Sequence, residues 1–387
     1  MLRPGQVIQL CAMALLGIGL VMIQSAGMGI EGADPASGSI LSLAWGRHTI
    51  YALIAVAVML VAAWVDVRQL LRCHGLANPL WWLLVLALGL TALTFVPALA
   101  KTVNGASRWL RVGPFSFQPS ELVKWVMLVA IAWWCARRGG VMHHFRHGLL
   151  PPLVLVAMAC MLVVIEDLGT AMLIGVVSMC LLYAGGARLW QLVLMTVPGL
   201  IIVVMLIMSS PYRLRRLLAF IDPWADSEGA GYHPIQSMVA IAQGGLVGRG
   251  LGNGVQKFGY LPEDTTDFIF AVICEELGIV GALLVTCLYL AILWVGVGIL
   301  RDCRDTFSRL LGLGVLLTVG IQAAINLAVV TVLVPTKGIA LPLISLGGTG
   351  WVMTGLALGL LASLDNANYL GCPSDRGSSP LAVSGWP

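Results

Sequence analysis

Phe268-Ile-Phe-Ala-Val-Ile-Cys-Glu-Glu-Leu-Gly-Ile-Val-Gly-Ala-Leu-Leu-Val-Thr-Cys-Leu-Tyr-Leu-Ala-Ile-Leu-Trp-Val-Gly-Val-Gly-Ile-Leu300 decides the fold, because it is apolar throughout except for two ionisable side chains, Glu275 and Glu276. About 20 apolar residues suffice to cross the hydrocarbon of a bilayer, so the stretch reads as a membrane span. Nine more apolar runs stand at about 7–28, 48–65, 79–100, 122–136, 149–165, 168–186, 191–208, 310–334 and 343–364. The first is longer than the about 7–15-residue core of a secretory signal and is read as an uncleaved span. The composition agrees: of 387 residues 59% are hydrophobic and 10% charged, with mean hydropathy +0.94, against roughly 45–50% apolar and about 25% charged for soluble domains. A soluble enzyme, a disordered chain and a nucleic-acid reader are excluded. The fold expected is an all-α integral membrane protein, a bundle of about ten transmembrane helices forming a single domain over 1–366, with one large extracytoplasmic loop over about 209–266. That loop is below the usual domain size of about 100–150 residues. The segment 367–387, with Pro373, Ser374, Gly377, Ser378, Ser379 and Pro380, has linker composition and reads as a disordered cytoplasmic tail.

Ten spans put both termini on one side. Lysine and arginine of short loops gather in the cytoplasm, and with the N-terminus inside, the inner loops carry Arg68, Arg72, Arg137, Arg138, Arg146, Arg188, Arg301, Arg304 and Arg309, whereas the first outer loop carries Glu31 and Asp34. Both termini are therefore placed in the cytoplasm of a multi-pass plasma-membrane protein. The outer basic residues fall in two segments, 101–124 and 213–257. A phosphate-bearing ligand at the outer face accounts for them. The net charge of +4, from 22 basic and 18 acidic residues, is spread too thinly for a polyanion-binding tract. Nine cysteines without a C-x-x-C pair read as small packing residues. His143, His144 and His147 sit in a short basic loop with no carboxylate or thiol beside them and read as solvated.

The polar segments carry the chemistry. The outer loop is rich in glycine around Gly244, Gly245, Gly248, Gly250, Gly252 and Gly254, and such backbone can approach a ligand and turn its N–H groups toward an anion. Alone this is better explained as an ordinary surface loop, but Arg213, Arg215, Arg216, Arg249 and Lys257 accompany it. Asp267, with Glu263 and Asp264 just before it, stands where the loop meets the next span. It suits either a helix N-cap or a general base. Glu275 and Glu276 lie about two turns further in, at a rise of about 1.5 Å per residue, where ionisable groups face a bundle interior or a wet cavity. Pro119, Ser120 and Glu121 make good helix-entry chemistry. Lys124, three residues beyond Glu121, shares its helix face, so an intramembrane ion pair is expected. Glu166 and Asp167, followed by Leu168-Gly-Thr, interrupt two apolar runs at the expected outer boundary, and a simple polar turn explains them about as well as a functional pair.

Asn104-Gly-Ala-Ser-Arg-Trp, Phe117-Gln-Pro-Ser-Glu-x-x-Lys, Asp167-Leu-Gly-Thr, Asp222-Pro-Trp-x-Asp, Gly231-Tyr-x-x-x-Gln-Ser, Gly250-Leu-Gly with Gln256-Lys, Leu261-Pro-Glu, Thr266-Asp-Phe-Ile-Phe-Ala with Glu275-Glu-Leu-Gly, and Pro335-Thr-Lys-Gly-x-x-Leu-Pro-Leu-Ile-Ser together resemble the SEDS family (FtsW, RodA, SpoVE). The resemblance runs from the first span to the last, and Asp222-Pro-Trp-Ala-Asp and Ala187-Arg-Leu-Trp are closer to its FtsW, or division, branch. It implies a ten-span peptidoglycan glycosyltransferase that polymerises lipid II outside the plasma membrane, for septal wall synthesis in cell division. A class B penicillin-binding protein, a transpeptidase, is the implied partner, among other divisome membrane proteins. It also implies that Asp267 is the essential catalytic residue and that Glu121 and Lys124 are functionally important. Three positions depart from the family pattern: Glu166 replaces a proline, Thr265 a common histidine and Leu346 a frequent tyrosine.

The residues and the resemblance agree on a mechanism class. Asp267 would accept the proton of a sugar hydroxyl that attacks the anomeric carbon of a second lipid II, and undecaprenyl diphosphate would leave as an anion. Cations then suit the site better than a general acid, and Arg108, Arg213, Arg216, Arg249, Lys257, Lys337 and Lys124 are candidates, with Glu121, Glu263 and Glu275 in the same substrate-binding set. A divalent cation, Mg or Mn, could share that work, although no dedicated metal motif is present. Two rival readings are a flippase for a lipid-linked precursor, whose path Glu121, Lys124, Glu275 and Glu276 would line, and a non-enzymatic division scaffold. The outer concentration of polar residues favours the enzyme.

Overall fold

A computed structural model describes residues 2–27, 46–72, 78–98, 100–103, 106–112, 115–256 and 265–369. Lys257, Glu263, Asp264, Glu31, Asp34 and the tail beyond 370 lie outside the described residues. The long helices are α1 (Pro4–Gly27), α2 (Arg47–Ala62), α3 (Pro79–Leu93), α4 (Pro119–Arg138), α5 (Leu150–Val164), α6 (Leu168–Ala184), α7 (Leu189–Met208), α8 (Pro211–Ile221), α9 (Tyr232–Gly244), α10 (Ile269–Asp302), α11 (Thr306–Val330) and α12 (Gly348–Tyr369). All ten expected apolar runs contribute one of these helices. By length and composition α1, α4, α7, α10 and α11 could cross a membrane, as could α5 together with the π turn Phe145–Leu149 ahead of it; α2, α3 and α6 are apolar but shorter.

Local chemistry sets the helix starts. Asn78 caps α3 by accepting from Leu80 N, Asp167 caps α6 by accepting from Thr170 N at 3.0 Å, and Asp305 caps α11 by accepting from Ser308 N at 2.8 Å. Asp305 also pairs with Arg68 at 3.2 Å, tying the loop after α2 to α11. The axis of the bundle is α4: 78% of its apolar stretch is buried inside the protein, against 11% for α7. So α4 packs among α3, α5, α6, α11 and α12, while α7 presents an almost wholly apolar surface, as a helix facing lipid does.

Four segments differ from the sequence expectation. The run at 79–100 stops being helical at Leu93, and an antiparallel three-stranded sheet follows, β1 (Ala100–Val103), β2 (Ala106–Val112) and β3 (Phe115–Phe117), with Lys101 opposite Trp109 and Leu110 opposite Phe117. The segment expected as one large loop carries two helices, α8 and α9, among its described residues. The last run begins outside a helix: residues 331–347 form an irregular strap of turns and coil before α12, with Ile339, Leu341, Leu343, Ile344 and Ser345 buried. Val332 (φ 56°) and Leu343 (φ 66°) take left-handed conformations within it, a costly choice for side chains of this kind that a packed surrounding must hold.

The fourth is α10, which breaks at Gly278 (φ 65°, ψ −160°). The break frees backbone groups, and the glycine-rich segment after α9 satisfies them. Arg249 N donates to Glu275 O and Gly250 N to Glu276 O, both at 3.0 Å, while Ile279 N and Val280 N donate to Gly245 O and Leu246 O. A Cβ at Gly248 would stand 2.2 Å from Glu276 O, so only glycine permits this approach. Non-helical backbone in an apolar bundle is tolerated where such partners re-satisfy it.

Candidate active site

The sequence places Asp267 at the start of α10, and the structure holds its turn from two sides. Ser345 Oγ on the strap donates to Thr266 O at 2.6 Å, and Leu346 N donates to Thr265 O at 2.9 Å. From α11, Asn326 Nδ2 donates to Asp267 O at 2.9 Å and to Ile339 O at 2.7 Å, so one amide clamps the turn and the strap together. The Asp267 carboxylate faces the backbone of Gly338: a Cβ there would lie 2.7 Å from Oδ2. On its α9 side, the His233 ring stacks on Phe268 with centroids 5.7 Å apart.

Lys337, next to Gly338, brings the first cation. It is half-buried beside Met172, and burial pushes its ammonium below the ordinary lysine range, while the Asp167 carboxylate opposes that shift and the Arg213 guanidinium adds to it. Asp167, Arg213 and Lys337 therefore share one electrostatic neighbourhood. Asp167 is fixed there by its cap role and by the Thr170 hydroxyl, which donates to Oδ2 at 2.8 Å. Gly169 lies against the Ile339 side chain, so the α6 start touches the strap. Beside it Arg108 Nε donates to Glu166 O at 2.7 Å. Burial holds the Glu166 carboxyl above the usual carboxylate range, against the pull of the Thr94 hydroxyl and of Arg108, with Asp167 adding to the rise.

The expected Glu121–Lys124 pair is present. Lys124 Nζ donates to the two carboxylate oxygens at 2.9 and 2.8 Å, and to Gln322 Oε1 at 3.0 Å. Gln322 Nε2 in turn donates to Ala340 O at 2.8 Å. The ion pair on α4 thus reaches the strap, two residues from Gly338, through one glutamine of α11. Gln322 and Asn326 lie outside the sequence motifs above, although two polar side chains four residues apart on one face of an apolar helix are a readable signal for a functional seam.

Other candidates sit apart. Glu275 is fully buried, accepts from Val255 N at 2.8 Å and Gln256 N at 3.3 Å, and has Arg249 Nη1 at 3.9 Å. Glu276 accepts from Gly252 N, Gly254 N and the Ser25 hydroxyl of α1. The anion that these loop N–H groups meet is the chain's own pair of glutamates, so the glycine-rich segment is a brace for the α10 break. Arg216 lies over the Tyr212 ring at 4.6 Å. Among the described residues, no group of three or more His, Cys, Asp or Glu is arranged to hold a metal ion.

A helical membrane protein with a carboxylate turn, a lysine strap and a buried ion pair converging at one end of its bundle is the class these features define. A family model described as "Cell cycle protein", for FtsW, RodA and SpoVE, matches residues 6–370. A "Probable peptidoglycan glycosyltransferase FtsW" of Aliivibrio salmonicida is 37% identical over 92% of this chain and 87% of its own length. One of Geobacter sulfurreducens is 38% identical over 94% and 95%. Among solved structures, a chain from "Structural coordination of polymerization and crosslinking by a peptidoglycan synthase complex" matches with TM-score 0.72 at 24% identity, covering 94% of this chain and 97% of that one. The rod shape determining protein RodA of Thermus thermophilus matches with TM-score 0.63 at 22% identity, covering 94% and 96%. The chain belongs to the FtsW/RodA/SpoVE family.

Proposed function

We propose that this protein is a peptidoglycan glycosyltransferase of septal wall synthesis, polymerising lipid II at the outer face of the plasma membrane with both termini in the cytoplasm. The observation that carries the reading is the clamped turn: Asn326 and Ser345 fix the backbone around Asp267 while its carboxylate is packed against Gly338, the residue after Lys337. The names of the relatives at 37% and 38% identity support the activity.

In the reaction, Asp267 takes the proton of the GlcNAc 4-hydroxyl of one lipid II as that oxygen bonds to the MurNAc anomeric carbon of another. The bond to undecaprenyl diphosphate breaks, and the diphosphate leaves as an anion. Lys337, Arg213 and Arg108, grouped around the start of α6 where it meets the strap, stabilise that charge as it develops. Arg216, Lys257 and Glu263 complete the proposed substrate-binding set. The Glu121–Lys124 pair, through Gln322, holds the strap that carries Lys337 and Gly338. Glu275 and Arg249 act at a distance, by setting the segment between α9 and the Asp267 turn.

The complex named in the structural match with TM-score 0.72 supports a transpeptidase partner of the class B penicillin-binding type. The test is polymer formation by the purified protein on lipid II, with and without that partner. Glycan strands support the reading. Their absence in both conditions refutes it, and lipid II translocation in vesicles then decides for a flippase or a scaffold.

A further inference from the structure

At the end of the bundle away from Asp267, a cavity of about 280 Å³ opens between α3, α4 and α5, with almost no polar surface. Trp81, Ile131, Trp134, Pro152, Leu155 and Met158 are among its lining residues. Its walls continue into surface that faces lipid, since Val154 is 58% and Met158 46% exposed. The cavity is thus a lateral recess in the membrane-facing wall, of a size to take part of an apolar chain.

The rim supplies the second observation. Arg138 follows Trp134 by one helical turn, about 6 Å, and its guanidinium lies over that ring at 5.2 Å; Arg137 lies over Trp133 at 4.7 Å. Trp134 Nε1 donates to Gly148 O at 2.8 Å, which fixes the wall to the turn carrying Arg146 and His147. No acidic residue occurs between Glu121 and Glu166. Arg138 and Arg146 are exposed and pair with no carboxylate among the described residues. A recess for a hydrocarbon chain thus ends within one to two turns of a cationic edge, Arg138 and Arg146, that no carboxylate among the described residues neutralises. Basic recesses between membrane helices recognise anionic headgroups in this way.

We infer that the α3–α4–α5 recess is a binding site for an anionic phospholipid, with part of one acyl chain in the cavity and the headgroup phosphate on Arg138 and Arg146. The leaflet is the one at the Arg137 end, the cytoplasmic leaflet under the proposed topology. The site is independent of the polymerisation reaction, and a failure of either leaves the other standing. Occupancy would brace α3 and α5 on α4, the helix that carries Glu121 and Lys124 at its other end.

Native mass spectrometry of the full-length protein released from detergent tests this with dioleoyl phosphatidylglycerol against dioleoyl phosphatidylcholine. The wild type retains the anionic lipid at least tenfold more strongly. Each of Arg138→Gln and Arg146→Gln lowers that retention about fivefold, the value of one basic residue near an anionic surface. Val154→Trp, which fills the recess from its lipid side, lowers retention of both lipids, whereas Val193→Trp on the lipid-facing α7 leaves it unchanged. Equal retention of the two lipids by the wild type overturns the proposal and needs no variant to fold. So does full retention by the double arginine variant.

Discussion

Lys124→Met isolates the buried ion pair. Lys124 is 2% exposed and gives hydrogen bonds to both Glu121 oxygens and to Gln322. Removing one member of a buried pair costs about 3–5 kcal/mol, because the survivor is left charged and unpartnered. The Glu121 side chain keeps 12% exposure, so the lower half of that range, about 3–4 kcal/mol, is expected. Replacing the pair by neutral side chains is often close to neutral, so Glu121→Gln/Lys124→Met should lie within about 1–2 kcal/mol of the wild type, about 2 kcal/mol more stable than Lys124→Met alone. Equilibrium unfolding by SDS titration in mixed micelles measures all four proteins. A Lys124→Met protein within about 0.5 kcal/mol of the wild type refutes the reasoning, as does a double variant no more stable than the single. Polymerisation by the stable double variant should still fall, since the strap has lost its Lys124–Gln322 tether.

Other expectations concern the brace, the clamp and the acidic turn. Gly250→Ala places a side chain at φ 92° and should cost about 1–2 kcal/mol, whereas Gly248→Ala adds an overlap with Glu276 O and should abolish a stable fold, read from yield and monodispersity in detergent. Gly89→Ala, at a helical site with nothing within 4 Å of the new Cβ, should be neutral or stabilising by up to about 1 kcal/mol. Asn326→Leu unpairs the carbonyls of Asp267 and Ile339, each worth about 1–3 kcal/mol, and should cut polymerisation more than tenfold; an unchanged rate excludes the clamp. Burial raises the Glu166 carboxyl, so the native state holds its proton longer than the unfolded chain. Stability should therefore drop as pH climbs from 4.5 through the raised value. The Glu166→Gln protein lacks that drop, and thermal midpoints of the two proteins between pH 4 and 7 check it.

The ten apolar runs announce the bundle because lipid demands long apolar stretches, a constraint written locally in the chain. Glu121 and Lys124 are equally legible, since a three-residue spacing on a helix fixes their contact without knowledge of the rest. Asp267 is legible as a carboxylate at a helix start, but not its clamp. That depends on Asn326 and Ser345, 59 and 78 residues further on. The strap is hidden for the same reason: residues 343–347 continue an apolar run, and the turn they form is held by partners across the bundle, Thr265 and Thr266. The glycine-rich loop misled in a specific way. Its N–H groups do meet anions, but these are Glu275 and Glu276, brought to it by the break at Gly278.

Glycan polymerisation by Asp267→Asn beside the wild type, on lipid II with a cognate transpeptidase present, tests the central claim most directly. The exchange keeps the side chain's size, and the clamps from Asn326 and Ser345 bind backbone carbonyls, so the variant should fold and elute as the wild type does. Loss of polymer by two orders of magnitude or more, the scale of a missing general base, is the result expected. Equal polymerisation by the two proteins would contradict the account and leave Asp267 as a helix-start residue alone.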